Sequence, residues 1–119
     1  MAVNLFEELK ALGVDVDGGI RRINGNDGLY RKLLGTFVKT IKDKYVQPDF
    51  SSEECEQVIE RAHTIKGASG NLSITPVFEA YTEILNHLRA DRIDMARQCI
   101  EQVLPVQEKI VQCIEQHMD

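Results

Sequence analysis

Apolar residues recur at three- and four-residue intervals along nearly the whole chain, which is the spacing of an amphipathic α-helix. No stretch shows a convincing alternation of apolar and polar residues of the kind that predicts a half-buried strand. Capping residues, glycines and prolines divide the pattern into segments, and we therefore predict an all-α protein. The predicted helices begin near Asn4, Asp15 or Asp17, Asn26 or Asp27, Ser51, Thr75, and Asp91 to Asp94.

The first two predicted helices are short, and the last four are long. Glycines at positions 13 and 25 end the short helices, and the long ones end near Lys44, Ser73, Ala90 and the C-terminus. Because the connections are short, successive long helices should be antiparallel neighbours. We predict a single domain over residues 1–119, an antiparallel up-down four-helix bundle with one or two short N-terminal helices covering one end.

The segment ERAHTIKGASGNLSI has the most informative pattern. His63 is predicted to lie about 120–160° from the centre of the buried face of this helix. Gly67 lies nearly opposite the core, Gly70 lies on the side of His63, and Lys66 follows His63 at i+3. Five residues share a sector of about 80° and form the predicted core face: Val58, Ala62, Ile65, Ser69 and Leu72.

Two glycines inside this helix each cost about 1 kcal/mol relative to alanine. Because both are predicted to point outward, core packing does not explain them. They leave bare backbone beside His63, so that another protein could approach the imidazole closely. A neutral imidazole is a nucleophile near pH 7 that can accept a phosphoryl group through nitrogen, and the Lys66 ammonium could offset the added charge.

Composition excludes several other functions. The net charge of -5 and the pI of about 5.2 disfavour binding to a phosphate backbone. Neither GxxxxGK[ST] nor GxGxxG after a strand occurs, so we expect no ATP site. Three cysteines without a CxxC pair favour a reducing compartment over a disulfide framework, and no signal peptide or membrane span is predicted, so we expect a cytoplasmic protein. We expect no resident metal or cofactor, and we interpret His87, on a polar face, and His117 as incidental.

The residues His63 to Leu72, HTIKGASGNL, resemble the HxxKGxxxxL signature of histidine-containing phosphotransfer (HPt) domains. The resemblance extends over roughly residues 10 to 115, through the lead-in Gly13 to Lys44 and the later segment Tyr81 to Ala96. Such domains relay phosphoryl groups between aspartates of response-regulator receiver domains. The resemblance therefore implies a helical bundle that works in a multistep two-component pathway.

The resemblance also implies a role for each matching residue. His63 would be the phosphoacceptor, Lys66 would neutralise the phosphoryl charge, and Gly67 would let the receiver dock closely. The receiver would supply the phospho-aspartate and the Mg²⁺. The expected partner-docking residues are Gly70, Ile59, Glu60 and Ile74.

Three further expectations concern the surroundings of this helix. A polar side chain on the next helix often orients the imidazole in the family, and Glu83 and Asn86 are both candidates. Ser73 stands where the family commonly has glycine, which should alter the helix end but leave the phosphoryl chemistry intact. We expect four aromatic residues to belong to the core: Tyr30, Phe37, Phe78 and Tyr81.

The leading hypothesis is a free-standing, monomeric phosphorelay intermediate that accepts a phosphoryl group on His63 from one receiver and passes it to another. Its partners would be receiver domains and a hybrid sensor histidine kinase, with neither nucleic acid nor membrane. Whether such a carrier counts as an enzyme stays open, because it has no independent turnover. One alternative is a domain of a larger chemotaxis-type or hybrid kinase, phosphorylated by an ATP-binding core. Another is a non-catalytic helical adaptor.

Overall fold

The computed structural model describes residues 4–118, and within them it contains six α-helices and no strand. The all-α prediction is therefore confirmed. A 3₁₀ turn over Ser52–Glu54 leads directly into the fourth helix. Within the same residues, no helix has an apolar stretch sufficient to cross a bilayer. The helices are α1 (Leu5–Ala11), α2 (Val16–Arg22), α3 (Asp27–Asp43), α4 (Cys55–Asn71), α5 (Thr75–Arg89) and α6 (Ile93–Gln116).

The four long helices form the predicted bundle. Along the chain each packs against the next, and α6 returns to pack against α3. Three-residue turns join α4 to α5 and α5 to α6, which makes these neighbours antiparallel. The connection from α3 to α4 is longer, over residues 44–54. The short helices α1 and α2 contact each other, and they pack on α6 and α3 respectively.

Side-chain caps begin several helices where the sequence predicted them. The Asn4 side chain accepts a hydrogen bond from the Glu7 backbone N–H at 2.9 Å. Ser51 and Glu54 form a capping box, in which the Glu54 carboxylate accepts from the Ser51 backbone N–H at 2.9 Å. Each cap satisfies a backbone donor that the first turn would otherwise leave without a partner. These short-range contacts explain why the helix starts could be predicted from the sequence.

A close contact fixes α2 against the end of α4. A Cβ added to Gly19 would lie 2.5 Å from the Tyr30 ring and 2.6 Å from the Leu72 carbonyl oxygen, so only glycine allows this approach. The Tyr30 hydroxyl donates a hydrogen bond of 2.8 Å to the same carbonyl. Burial raises the pKa of Tyr30, which keeps its hydroxyl protonated as a donor. The contact therefore holds α2 beside the C-terminus of α4.

The C-terminus of α4 closes in a Schellman motif. The Ser73 N–H donates to the Gly70 carbonyl at 3.2 Å, and the Ile74 N–H donates to the Ser69 carbonyl at 2.9 Å. Ser73 has a positive φ of 55°, which is the conformation that glycine adopts most easily. This backbone conformation gives a physical reason for a glycine preference at position 73.

The same motif places Ile74 inside the core. Ile74 is fully buried, with a relative exposure of 0%. In a Schellman motif this position commonly packs its apolar side chain back against the helix it follows. The prediction that Ile74 docks a partner is therefore wrong, because the motif turns its side chain inward.

We expect Ser73→Gly to raise the free energy of unfolding by about 0.5–1 kcal/mol, because glycine reaches a positive φ without the clash of a Cβ. This gain in stability is smaller than the strain energy of serine at a positive φ, because glycine loses more backbone entropy on folding. Urea denaturation followed by circular dichroism would measure it. Ser73→Ala is the matched control, because it removes the hydroxyl and keeps the Cβ. A glycine variant no more stable than the alanine variant would contradict the expectation.

Candidate functional site

His63 projects into solvent from the middle of α4. Its side chain is exposed, whereas Ala62 and Ile65 on the other face of the helix are fully buried. All five residues of the predicted core face of α4 are buried. The outward direction of the imidazole follows from the packing of that inward face, as the helical spacing predicted.

A shallow groove with a volume of about 380 Å³ lies beside His63. Three helices contribute to its walls. The predicted site residues Lys66 and Gly67 line it together with His63, and Gly70 follows one turn further along α4. The groove also takes side chains from α2 and α5, which sequence analysis did not assign to a site: Arg22 and Phe78.

The Lys66 side chain lies over an aromatic ring at the edge of this groove. Its Nζ is 5.9 Å from the centroid of Phe78, which is within the range of a cation–π interaction. Lys66 is half-buried and lines the same groove as His63. The ring therefore holds the cation at the edge of the groove that His63 also lines.

Phe78 is 36% exposed, so the prediction that it belongs to the core is wrong. The physical reason is its packing on Gly70, where an added Cβ would come within 2.9 Å of two ring atoms. The ring covers the helix backbone from outside and leaves one side facing the groove. The other three predicted core aromatics are fully or almost fully buried: Tyr30, Phe37 and Tyr81.

The two glycines of α4 serve different purposes. A Cβ added at Gly67 would meet nothing within 4 Å, so this glycine leaves open space beside His63. Gly70 is needed because Phe78 packs against it. The interpretation that both glycines leave bare surface therefore holds for Gly67 and is wrong for Gly70.

The remaining predicted docking residues are only partly available to a partner. The Glu60 carboxylate is exposed but pairs with the Lys44 ammonium at 3.2 Å. Ile59 is half-buried and packs against the core. A docking surface on this face therefore depends more on His63, Gly67 and the groove than on these two side chains.

Arg22 is the functional candidate that sequence analysis missed. It is the last residue of α2, and its Nη1 donates a hydrogen bond of 2.7 Å to the Gly70 carbonyl oxygen. The contact joins residues 48 positions apart, and no local spacing predicts it.

The comparison with family models identifies the chain. The Hpt domain model matches residues 29–118. The chain belongs to the Hpt domain family. No curated protein and no solved structure matched the chain. Membership means histidine phosphotransfer in two-component signalling, which the sequence resemblance had implied.

The match places α3 to α6 of this Hpt domain inside the family region and leaves α1 and α2 outside it. The match covers most of the stretch over which the resemblance was predicted, roughly residues 10 to 115, and does not include residues 10–28. His63, Lys66 and Gly67 lie inside the matched region, whereas Arg22 lies outside it. Part of the groove is thus built by a segment that the family model does not cover.

A second cluster of polar side chains in this Hpt domain lies between α5 and α6. Ligand atoms of Glu83, His87 and Cys99 are within 4.8 Å of one another. The Arg92 Nε donates to His87 Nδ1 at 3.0 Å, so a neutral ring carries its proton on Nε2, which faces Glu83 at 3.8 Å. Burial, together with Glu83, raises the pKa of the Cys99 thiol. Arg92 therefore occupies one ring nitrogen of His87, and the Cys99 thiol is held more firmly in its protonated form.

The same cluster revises two expectations. His87 is 8% exposed, so the interpretation that it lies on a polar surface is wrong. Its ring is buried where it accepts a hydrogen bond from the Arg92 side chain, at the end of the turn that follows α5. Glu83 faces this cluster, and neither Glu83 nor Asn86 lines the His63 groove.

Proposed function

We propose that this Hpt domain is a phosphorelay intermediate, in which His63 accepts a phosphoryl group from a receiver aspartate and passes it to a second receiver. One observation carries the proposal. An exposed imidazole stands beside open backbone at Gly67 and beside the Lys66 cation in one groove. This arrangement suits a nucleophile that a second protein must reach.

The reaction needs only a neutral imidazole on this chain. A ring nitrogen of His63 donates its lone pair to phosphorus, and the new N–P bond forms as the O–P bond of the aspartyl phosphate breaks. The aspartate carboxylate leaves with the electron pair of that bond. The other ring nitrogen keeps its proton, which solvent can later remove. Transfer to the next receiver reverses these steps, and the Lys66 ammonium attracts the phosphoryl oxygens in both directions.

The partner is proposed to bring the rest of the active site. Magnesium prefers oxygen ligands, and the groove carries a single carboxylate, Asp15. That carboxylate already accepts the Gly18 backbone N–H at 3.1 Å as the N-cap of α2. We therefore assign the Mg²⁺ and the aspartate to the receiver. Because the groove is open, docking must also exclude the water that would hydrolyse the phosphoryl group.

Incubation with an isotopically phosphorylated receiver and Mg²⁺ should label the parent protein, and His63→Ala should abolish the label because the nucleophile is gone. The label should be labile in acid and stable in alkali, as expected for a phosphoramidate. His117→Gln is the control, since it removes another imidazole, one that pairs with Glu8 and does not line the groove. Labelling of His63→Ala at the parent level would show that another residue is the acceptor. A parallel arm with an ATP-binding kinase core as donor tests the domain-of-a-kinase alternative.

We expect Lys66→Met to slow phosphotransfer about tenfold or more, equivalent to ~1.4 kcal/mol of transition-state stabilisation. Methionine keeps an apolar stem against Phe78 and removes only the charge. Lys66→Arg is the matched control, because it keeps the cation and should retain most of the rate. Rapid-quench measurement of single-turnover transfer would give the rates. Equal rates for the methionine variant and the parent would contradict a charge-stabilising role.

Gly67→Ala should raise the free energy of unfolding by about 1 kcal/mol, because alanine is the better helix former and its Cβ meets nothing in the folded domain. The same variant should transfer phosphate more slowly, because the methyl group lies where the receiver docks. Gly70→Ala is the comparison, and its gain in stability should be smaller, since its Cβ meets Phe78. Thermal unfolding and transfer kinetics measure the two effects. A Gly67→Ala protein with full transfer activity would show that the receiver does not approach this closely.

A further inference from the structure

Arg22 is anchored at one edge of the His63 groove. Its Nη1 donates to the Gly70 carbonyl oxygen, which lies in the last turn of α4. A cation at a helix C-terminus is favourable, because it interacts with the carbonyls and with the negative end of the helix dipole. The contact with Gly19 already holds α2 in place, so the guanidinium is positioned by both its backbone and its own hydrogen bond.

This anchor uses only part of the guanidinium. A guanidinium has five N–H donors in a planar fork, and one arm is bound to Gly70. Within residues 4–118, Arg22 makes no other side-chain hydrogen bond or ion pair. The residue is exposed and lines the groove, so its remaining donors can reach an anion on an approaching protein.

The charges in the groove differ in sign from the charge of the whole chain. The chain carries a net charge of -5, but the groove contains the cations Arg22 and Lys66 and a single carboxylate. That carboxylate, Asp15, is held by the first turn of α2. The groove is therefore a local positive site on an acidic protein, which favours an anionic partner surface.

We propose that Arg22 is a second cationic residue of the phosphotransfer site, and that it binds the anionic surface around the aspartyl phosphate of a docking receiver. The inference rests on the proposed function of His63. Gly70 lies seven residues after His63, about 10 Å along the helix axis, so Arg22 acts on the partner rather than on the reacting nitrogen. It therefore strengthens association with the receiver, whereas Lys66 acts on the bond-making step.

This division of roles predicts separate kinetic effects. In single-turnover transfer from a phospho-receiver, Arg22→Gln should raise the half-saturating receiver concentration about fivefold to tenfold and change the limiting rate less than twofold. The difference from the parent should shrink as salt rises, since the screening length falls from ~10 Å at 0.1 M to ~3 Å at 1 M. An unchanged half-saturating concentration, or a loss confined to the limiting rate, would overturn the proposal.

Two matched variants separate this role from simpler explanations. Arg21, the neighbouring residue of α2, is also exposed but does not line the groove. Arg21→Gln removes the same charge and should leave transfer near the parent level. Arg22→Lys keeps the cation and should restore most of the affinity. Equal weakening by the glutamine changes at 21 and 22 would show an effect of net charge alone and would overturn the proposal. If Arg22→Lys weakens association with the receiver as much as Arg22→Gln does, the hydrogen bond from Arg22 to Gly70 has only a structural role. That result would also overturn the proposal.

The parent protein distinguishes a failure of this inference from a failure of the proposed function. If phospho-receivers cannot label the parent at His63, both are wrong. If the parent is labelled and Arg22→Gln matches it at every receiver concentration, only the role of Arg22 is wrong. Thermal unfolding of each variant shows whether α2 stays docked, and circular dichroism confirms that the helical content is kept.

Discussion

The inward face of α4 is the constraint on which the site depends. Burial of Val58, Ala62, Ile65 and Leu72 fixes the rotation of this helix about its axis, and the rotation in turn directs His63 into water. Each large apolar side chain contributes about 1.5–3 kcal/mol on burial, against about 1 kcal/mol lost for a glycine inside a helix. The packed face can therefore stabilise a helix whose outer face is shaped for a partner.

The C-terminus of α4 connects this helix to the rest of the molecule. The Gly70 carbonyl accepts from both Ser73 and Arg22, and the Leu72 carbonyl accepts from the Tyr30 hydroxyl. Backbone acceptors that a helix end normally leaves to solvent are thus used to position α2 and α3. The groove owes its shape to this arrangement, because Arg22 and α4 would otherwise not meet.

Local spacing was enough to predict much of this structure from sequence. Helix starts such as Asn4 and Ser51 depend on contacts three residues away, and the exposure of His63 depends on a period of 3.6 residues. Three features escaped because contacts outside the regular helical spacing decide them. Ile74 is buried by the turn that follows α4, Phe78 is exposed because it covers a glycine on another helix, and Arg22 reaches across 48 positions.

The close approach at Gly19 has a consequence for where this domain begins. The region recognised by family comparison starts at residue 29, yet the backbone of α2 lies directly against Tyr30 and Leu72. A polypeptide trimmed to residues 29–118 would expose the Tyr30 ring beside the C-terminus of α4. The packed structure around the histidine helix is therefore longer than the stretch that the family model matches.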